Sequence, residues 1–236
     1  MKRILRFFIR AVVLSLCVAI PARAGIPVAV DADPLRELEY VKEAQRWIDT
    51  AKHYQSQIQA YQDQLASQTG LRDIVGLVNE AKGLKSDIQS LQQQGISLDS
   101  LLTSSNAPSG ALDSLYNKYK DFDVCNAQQA ASYINICKQE TVNKAWTIEQ
   151  TADVQEKVSS ALDEISGLTD RIANSKDAKE SQDLANTIQM KQVQLNVLTT
   201  QWEMNVKASE ERAKLLEQKR RNAFHDQQYN APVPTY

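Results

Sequence analysis

Apolar residues recurring at alternating steps of three and four, sustained over long stretches, constrain this chain more than anything else in it. From Pro34 onward, Val41, Ala44, Ile48, Ala51, Gln55, Ile58, Gln62 and Leu65 keep that rhythm without a break. Such spacing draws one narrow stripe along an α-helix and suits a coiled-coil seam against another helix. Two seam positions are glutamine, which weakens the contact but can fix its register. A helix over 34–68 would be about 50 Å long at 1.5 Å per residue. Asp33-Pro34 predicts its start, because the carboxylate can cap and proline lacks an N–H that the first turn leaves unused. Glu37 adds negative charge where the helix dipole favours it, and Thr69-Gly70 predicts the stop.

Two more stripes follow. Val154, Val158, Ala161, Ile165, Leu168 and Ile172 form one, broken at Asn174-Ser175. Ser175 reads as the cap of a third helix, whose stripe is Leu184, Ile188, Leu195, Leu198, Trp202, Val206, Ala213 and Leu216. That helix would run from about 177 to 222, roughly 70 Å. Lys214, Lys219, Arg220 and Arg221 place cations where its dipole wants them, so they read as a solvated helix end before they read as a nucleic-acid patch. "FHDQQYNAPVPTY" has two prolines and no period, and predicts a loose tail over 223–236. Seven glycines and six prolines in 236 residues leave few turns, and no β-type alternation of useful length interrupts the helical pattern. The fold class predicted is all-α: an elongated three-helix bundle from 34–69 and 138–222. A small helical and loop appendage, 70–137, is inserted between its first and second long helices, making one helical domain over 34–222.

The appendage differs in texture. "LRDIVGLVNEAKGLKSDIQSLQQQG" is a weaker helical pattern punctured by Gly76 and Gly83, and "ISLDSLLTSSNAPSG" reads as a loop-rich connector. "ALDSLYNKYKDF" predicts a short helix with Tyr116, Tyr119 and Phe122 near one face, either as local core or as a partner-binding patch. Cys125 and Cys137 follow. On a continuous helix they would lie about 18 Å apart, whereas bonded cysteines need Cα atoms roughly 4.4–6.8 Å apart. A Cys125–Cys137 disulfide is expected, which requires "NAQQAASYINI" to fold back; two buried free thiols are the alternative.

The first residues predict export. Lys2, Arg3, Arg6 and Arg10 precede the apolar run "AVVLSLCVAI", and Ala22-Arg23-Ala24 closes it with small residues, the pattern of a secretory signal peptide over 1–24. Arg10 limits the apolar count well below the span of a bilayer, and Leu16 ahead of Cys17 does not suit a lipoprotein signal. Cleavage between Ala24 and Gly25 takes five basic side chains and no acid. It leaves 22 basic against 29 acidic groups over 212 residues, a formal charge of −7. A nucleic-acid-coating protein would need the opposite sign. The new start, 25–33, is an extended segment whose Ile26, Val28 and Val30 alternate around Pro27, a candidate contact with a neighbouring subunit.

Catalytic chemistry finds little support. The histidines His53 and His225 lie far apart in sequence, and no metal-ligand spacing, nucleophile turn or glycine-rich phosphate loop is present, so no cofactor or metal is expected. A cell-wall glycosidase needs carboxylates and little else, and Glu140, Glu149 and Glu164 are its nominees. All three fall at charged, solvent-type helical positions. Trp47, Trp146 and Trp202, one on each long pattern, read as contacts within the bundle.

Taken in order, the leader, the mature start "GIPVAVDADP", the glutamine-rich helix ending in "SQTGLRDI", the inserted region and two more long helices resemble a known family. It is the minor pilus protein of conjugative and effector-secreting type IV secretion systems, the fifth component of the VirB set (TraC- and TrwJ-like proteins). The most family-like strings are I-P-V-x-x-D at Ile26–Asp31 and T-G-x-R at Thr69, Gly70 and Arg72. The cysteine pair is not carried over from the family. The resemblance implies a three-helix bundle with a globular appendage, exported to the periplasm and assembled at the pilus tip or cell surface. It further implies a part in pilus assembly and recipient-cell contact, with the inner-membrane channel component and the major pilin as partners and a ring of five copies as assembly. No direct nucleic-acid contact is implied. A periplasmic helical chaperone or spacer is the competing reading of the same residues.

Overall fold

The computed structural model describes residues 34–69, 78–79, 81–105, 107–120, 125 and 130–231. The expected signal peptide, its expected cleavage pair Ala24 and Gly25, the candidate contacts Ile26, Pro27, Val28 and Val30, and Phe122 lie outside the described residues. Six helices are described, and the all-α class holds: α1 Pro34–Thr69, α2 Leu84–Gln93, α3 Leu98–Thr103, α4 Ser109–Tyr119, α5 Ala131–Asn174 and α6 Ala178–Tyr229. The three long ones pack on one another, while α2, α3 and α4 gather against one end of α5.

The seam residues do what their spacing predicts. Ala44 and Ile48 of α1 meet Ile165 and Ile172 of α5 and Leu184, Ala185 and Ile188 of α6 in a first apolar cluster. Ala51 and Ile58, Val154 and Val158, and Leu195 and Trp202 make a second. Successive clusters therefore climb α1 and α6 while descending α5, so α1 and α6 run parallel and α5 opposes both. Tyr61 meets Trp202 edge-on, with centroids 5.8 Å apart and planes at 81°, a favoured geometry for aromatic pairs. A third cluster, around Leu84, Ile88, Leu101, Leu102, Leu112 and Tyr119, is centred on the short helices and seated on Leu65 of α1 and on Val142, Ala145 and Ile148 of α5. No α6 residue belongs to it.

Several boundaries differ from the sequence reading. The second long helix begins at Ala131, inside the expected appendage, because Ile136 and Val142 extend its buried face upstream of the recognisable stripe. The last helix continues through the expected tail to Tyr229, as nothing before Pro232 interrupts it. Its cap is Asp177, whose carboxylate accepts the Lys179 N–H at 2.9 Å, whereas Ser175 closes α5. Within the expected connector, Ser97 accepts the Ser100 N–H at 3.1 Å and starts α3, which buries Leu101 and Leu102. Gly83 at φ 100° and Gly95 at φ 82° bracket α2 in a left-handed backbone that favours glycine.

Candidate interaction surfaces

The disulfide end is built around α5. Cys125 and Cys137 are bonded, with Cα atoms 5.8 Å apart. The Cys125 N–H donates to the Tyr116 hydroxyl at 2.9 Å, which fastens this end of the cystine to α4. Lys138 ties the same region from the other side, donating to Asp113 at 2.7 Å with its ammonium 5.7 Å from the Tyr116 ring centre. Tyr119 donates to Asp87 at 2.8 Å, beside Lys118 on the same oxygen at 2.6 Å. Burial pushes the Tyr119 hydroxyl pKa upward, and the Asp87 carboxylate adds to that. Tyr116 and Tyr119 are both buried in the third cluster. Of the two readings, local core describes how both rings pack here, and their hydroxyls make internal hydrogen bonds.

The three nominated carboxylates are also tied into the fold. Glu149 receives the Gly83 N–H at 2.7 Å and the Lys85 N–H at 2.5 Å, so α5 caps the start of α2. Carboxylates favour helix N-termini for electrostatic reasons, yet burial outweighs these bonds and holds the Glu149 carboxyl above its usual range. Neighbouring Asp153 is also penalised by burial, but bonds from Lys157 at 2.8 Å and Lys85 at 3.2 Å prevail and lower it. Glu140 pairs with Arg220 at 3.3 Å. Glu164 is bonded by Lys191, which holds its carboxyl below the usual range. Glu140 and Glu149 are thus half-buried tertiary contacts and not the solvent-type positions expected of them. A general acid must have a proton free to give, and both Glu149 oxygens already accept backbone N–H groups.

The basic end of α6 is likewise engaged. Lys214 pairs with Glu211 at 2.8 Å, Lys219 donates to the Thr103 carbonyl, and Arg221 lies 3.8 Å from Glu217. Among the described residues no group of three or more His, Cys, Asp or Glu side chains could hold a metal ion. His53 sits exposed beside Gln57 at 3.1 Å, and His225 is exposed near the end of α6.

What remains open to partners is the outer side of α6. Met190, Val193, Val197 and Met204 are 61, 63, 50 and 65% exposed. Their steps of three, four and seven put them on one stripe, about 20 Å long, facing away from the core. The expected stripe on this helix follows the inward side through Leu184, Ile188, Leu195, Trp202 and Leu216, although Ala213 is exposed, and this second, outward seam has equally regular spacing. A groove of about 690 Å³ between α1 and α5 adds amide groups from Gln55, Gln59, Gln62 and Gln155.

Comparison with known families decides what kind of molecule carries these surfaces. The family of type IV secretion system proteins matches residues 25–221. The chain belongs to this family. The match covers every described helix except the last two turns of α6 and begins at the residue that the leader reading makes the first of the mature chain. No curated protein and no solved structure matches this secretion protein in the same comparison. Among its described residues no helix is long and apolar enough to cross a membrane.

Proposed function

We propose that this secretion protein is a minor pilus-tip component of a conjugative type IV secretion system, exported to the periplasm and working by protein–protein contact in pilus assembly and recipient-cell attachment. The observation that carries the reading is the family match over residues 25–221. Three features support the finer part. The match starts where the signal peptide is expected to end. The Met190–Met204 stripe is an apolar seam with nothing packed on it, as an assembling subunit would present. Of the nominated acids, Glu149 caps a helix and Glu140 and Glu164 pair with cations, which leaves the long helices a scaffolding role. The partners proposed are the inner-membrane channel component, the major pilin and further copies of the chain in a ring, with the recipient surface beyond them. Ile26, Pro27, Val28 and Val30 are proposed to reach a neighbouring subunit.

Pili sheared from donor cells and probed for this chain test the proposal. Recovery with the pilus fraction is the expected result. Recovery from the periplasm alone would overturn it in favour of a chaperone or spacer, and release of muropeptides by the purified protein would overturn it in favour of an enzyme.

A further inference from the structure

Helix α6 is held in two different ways along its length. From Leu184 to Trp202 it buries Leu184, Ala185, Ile188, Leu195 and Trp202 in two apolar clusters shared with α1 and α5. Beyond Val206 the character changes. Between residues 207 and 229 only Ser209 and Leu216 are buried, and the apolar cluster at that end draws on α1 to α5 without α6.

Polar ties outnumber packed side chains there, Leu216 being the one fully buried apolar residue of the segment. Asn143 of α5, itself buried, donates to the Ser209 carbonyl at 3.0 Å, and the Thr147 and Ser209 hydroxyls bond to each other. Arg212 bridges two elements, donating to the Asn143 side-chain oxygen at 3.1 Å and to Asp99 of α3 at 2.9 Å. Lys219 reaches the Thr103 carbonyl and Arg220 reaches Glu140. Past Lys219 a groove of about 450 Å³ separates α6 from the start of α5, lined by Ser105, Ser132, Asn135, Asn222 and Gln227.

Hydrogen bonds and ion pairs exchange one partner for water at small net gain, while apolar burial does not. A segment with few buried apolar side chains and many polar ties therefore opens at lower free energy than its neighbours. We infer that residues 207–229 form a detachable arm, which opens as a unit about Trp202 and Val206 while the rest of α6 stays packed. Opening uncovers Gln139, Asn143 and Thr147 on α5 together with the α3 end, a polar surface that is buried in the closed form. The inference concerns the fold and stands whatever the chain's partners are.

Hydrogen–deuterium exchange on the full mature chain, read by peptide, tests it. Peptides within 207–229 should exchange at least about 100-fold faster than those within 184–202. Raising NaCl from about 0.05 to 0.5 M should speed the first group several-fold by screening the Arg212–Asp99 and Arg220–Glu140 pairs, and leave the second unchanged. Arg212→Ala should speed exchange across 207–229 about tenfold, with 184–202 unaffected. Equal protection along the whole of α6, or acceleration by salt and by Arg212→Ala that spreads evenly through 184–202, would overturn the arm. The salt series uses the unaltered protein, so it decides the question even where the variant folds badly.

Discussion

Two substitutions at Glu149 should behave differently, and the difference tests how α2 is held. Helix α2 has no side-chain cap of its own; its first N–H groups find their acceptor on α5, where Glu149 takes Gly83 at 2.7 Å and Lys85 at 2.5 Å. Glu149→Ala leaves both donors without a protein acceptor in a half-buried site. At about 1 kcal/mol for each unmade bond, the loss is about 2 kcal/mol. Glu149→Gln keeps one carbonyl acceptor, turns an NH2 toward the other N–H, and removes the charge, which burial penalises here. Glutamine thus loses one bond where alanine loses two, and the relief of the buried charge offsets part of that, so glutamine should cost about 1 kcal/mol or less. With a urea slope of about 2 kcal/mol per M, alanine should lower the unfolding midpoint by about 1 M and glutamine by about 0.5 M or less. The pH dependence has a definite sign. The folded-state value lies above the ordinary 4.5, so the folded protein holds this proton over a window in which the unfolded chain has released it. The associated stability is complete below the ordinary value and is lost as pH rises through the raised one. The glutamine variant lacks that slope, and its deficit against the parent should therefore shrink from acid toward neutral pH. If glutamine proves as damaging as alanine at pH 7, charge outweighs burial and the reasoning fails. If alanine costs nothing, the cap does not hold α2.

Reducing the Cys125–Cys137 bond, which closes a loop of 12 residues, should lower the unfolding free energy by about 3 kcal/mol, seen as a midpoint shift in urea with and without reductant. Leu195→Ala, at a fully buried position shared by the three long helices, should cost about 3 kcal/mol in the same assay. Val197→Lys with Met204→Lys should leave thermal unfolding within about 2 °C of the parent, since both side chains are exposed, yet abolish recovery with sheared pili. Deleting residues 25–32 should likewise remove the chain from pili while the helical part still melts cooperatively.

Much of the scaffold was legible because apolar spacing reports buried faces directly. Ala44, Ile48, Ala51, Ile58 and Leu65 on α1, and Val154 through Ile172 on α5, are core residues at the positions their rhythm marks. Where the buried residues are polar, the same signal goes silent. Gln139, Thr141, Asn143 and Thr147 all lie inside, so the recognisable stripe on α5 starts only at Val154 although the buried face runs further upstream to partners on α3 and α6. The role of Glu149 depends on two N–H groups more than sixty residues away in sequence, which no local pattern encodes. The tyrosines carried both readings in the sequence, and only the cluster around Leu84, Ile88 and Leu112 assigns Tyr116 and Tyr119 to the interior.

The parallel course of α1 and α6 gives the molecule a direction. Glu37 near the start of α1 meets Ser181 near the start of α6 at 3.4 Å, so everything ahead of Pro34 joins at that pole. The cystine sits at the opposite pole, separated by most of the roughly 50 Å length of α1. A copy tethered through its leading segment would point its cross-linked pole outward. The surface seen by whatever lies ahead would then be the part of the molecule braced by a covalent bond.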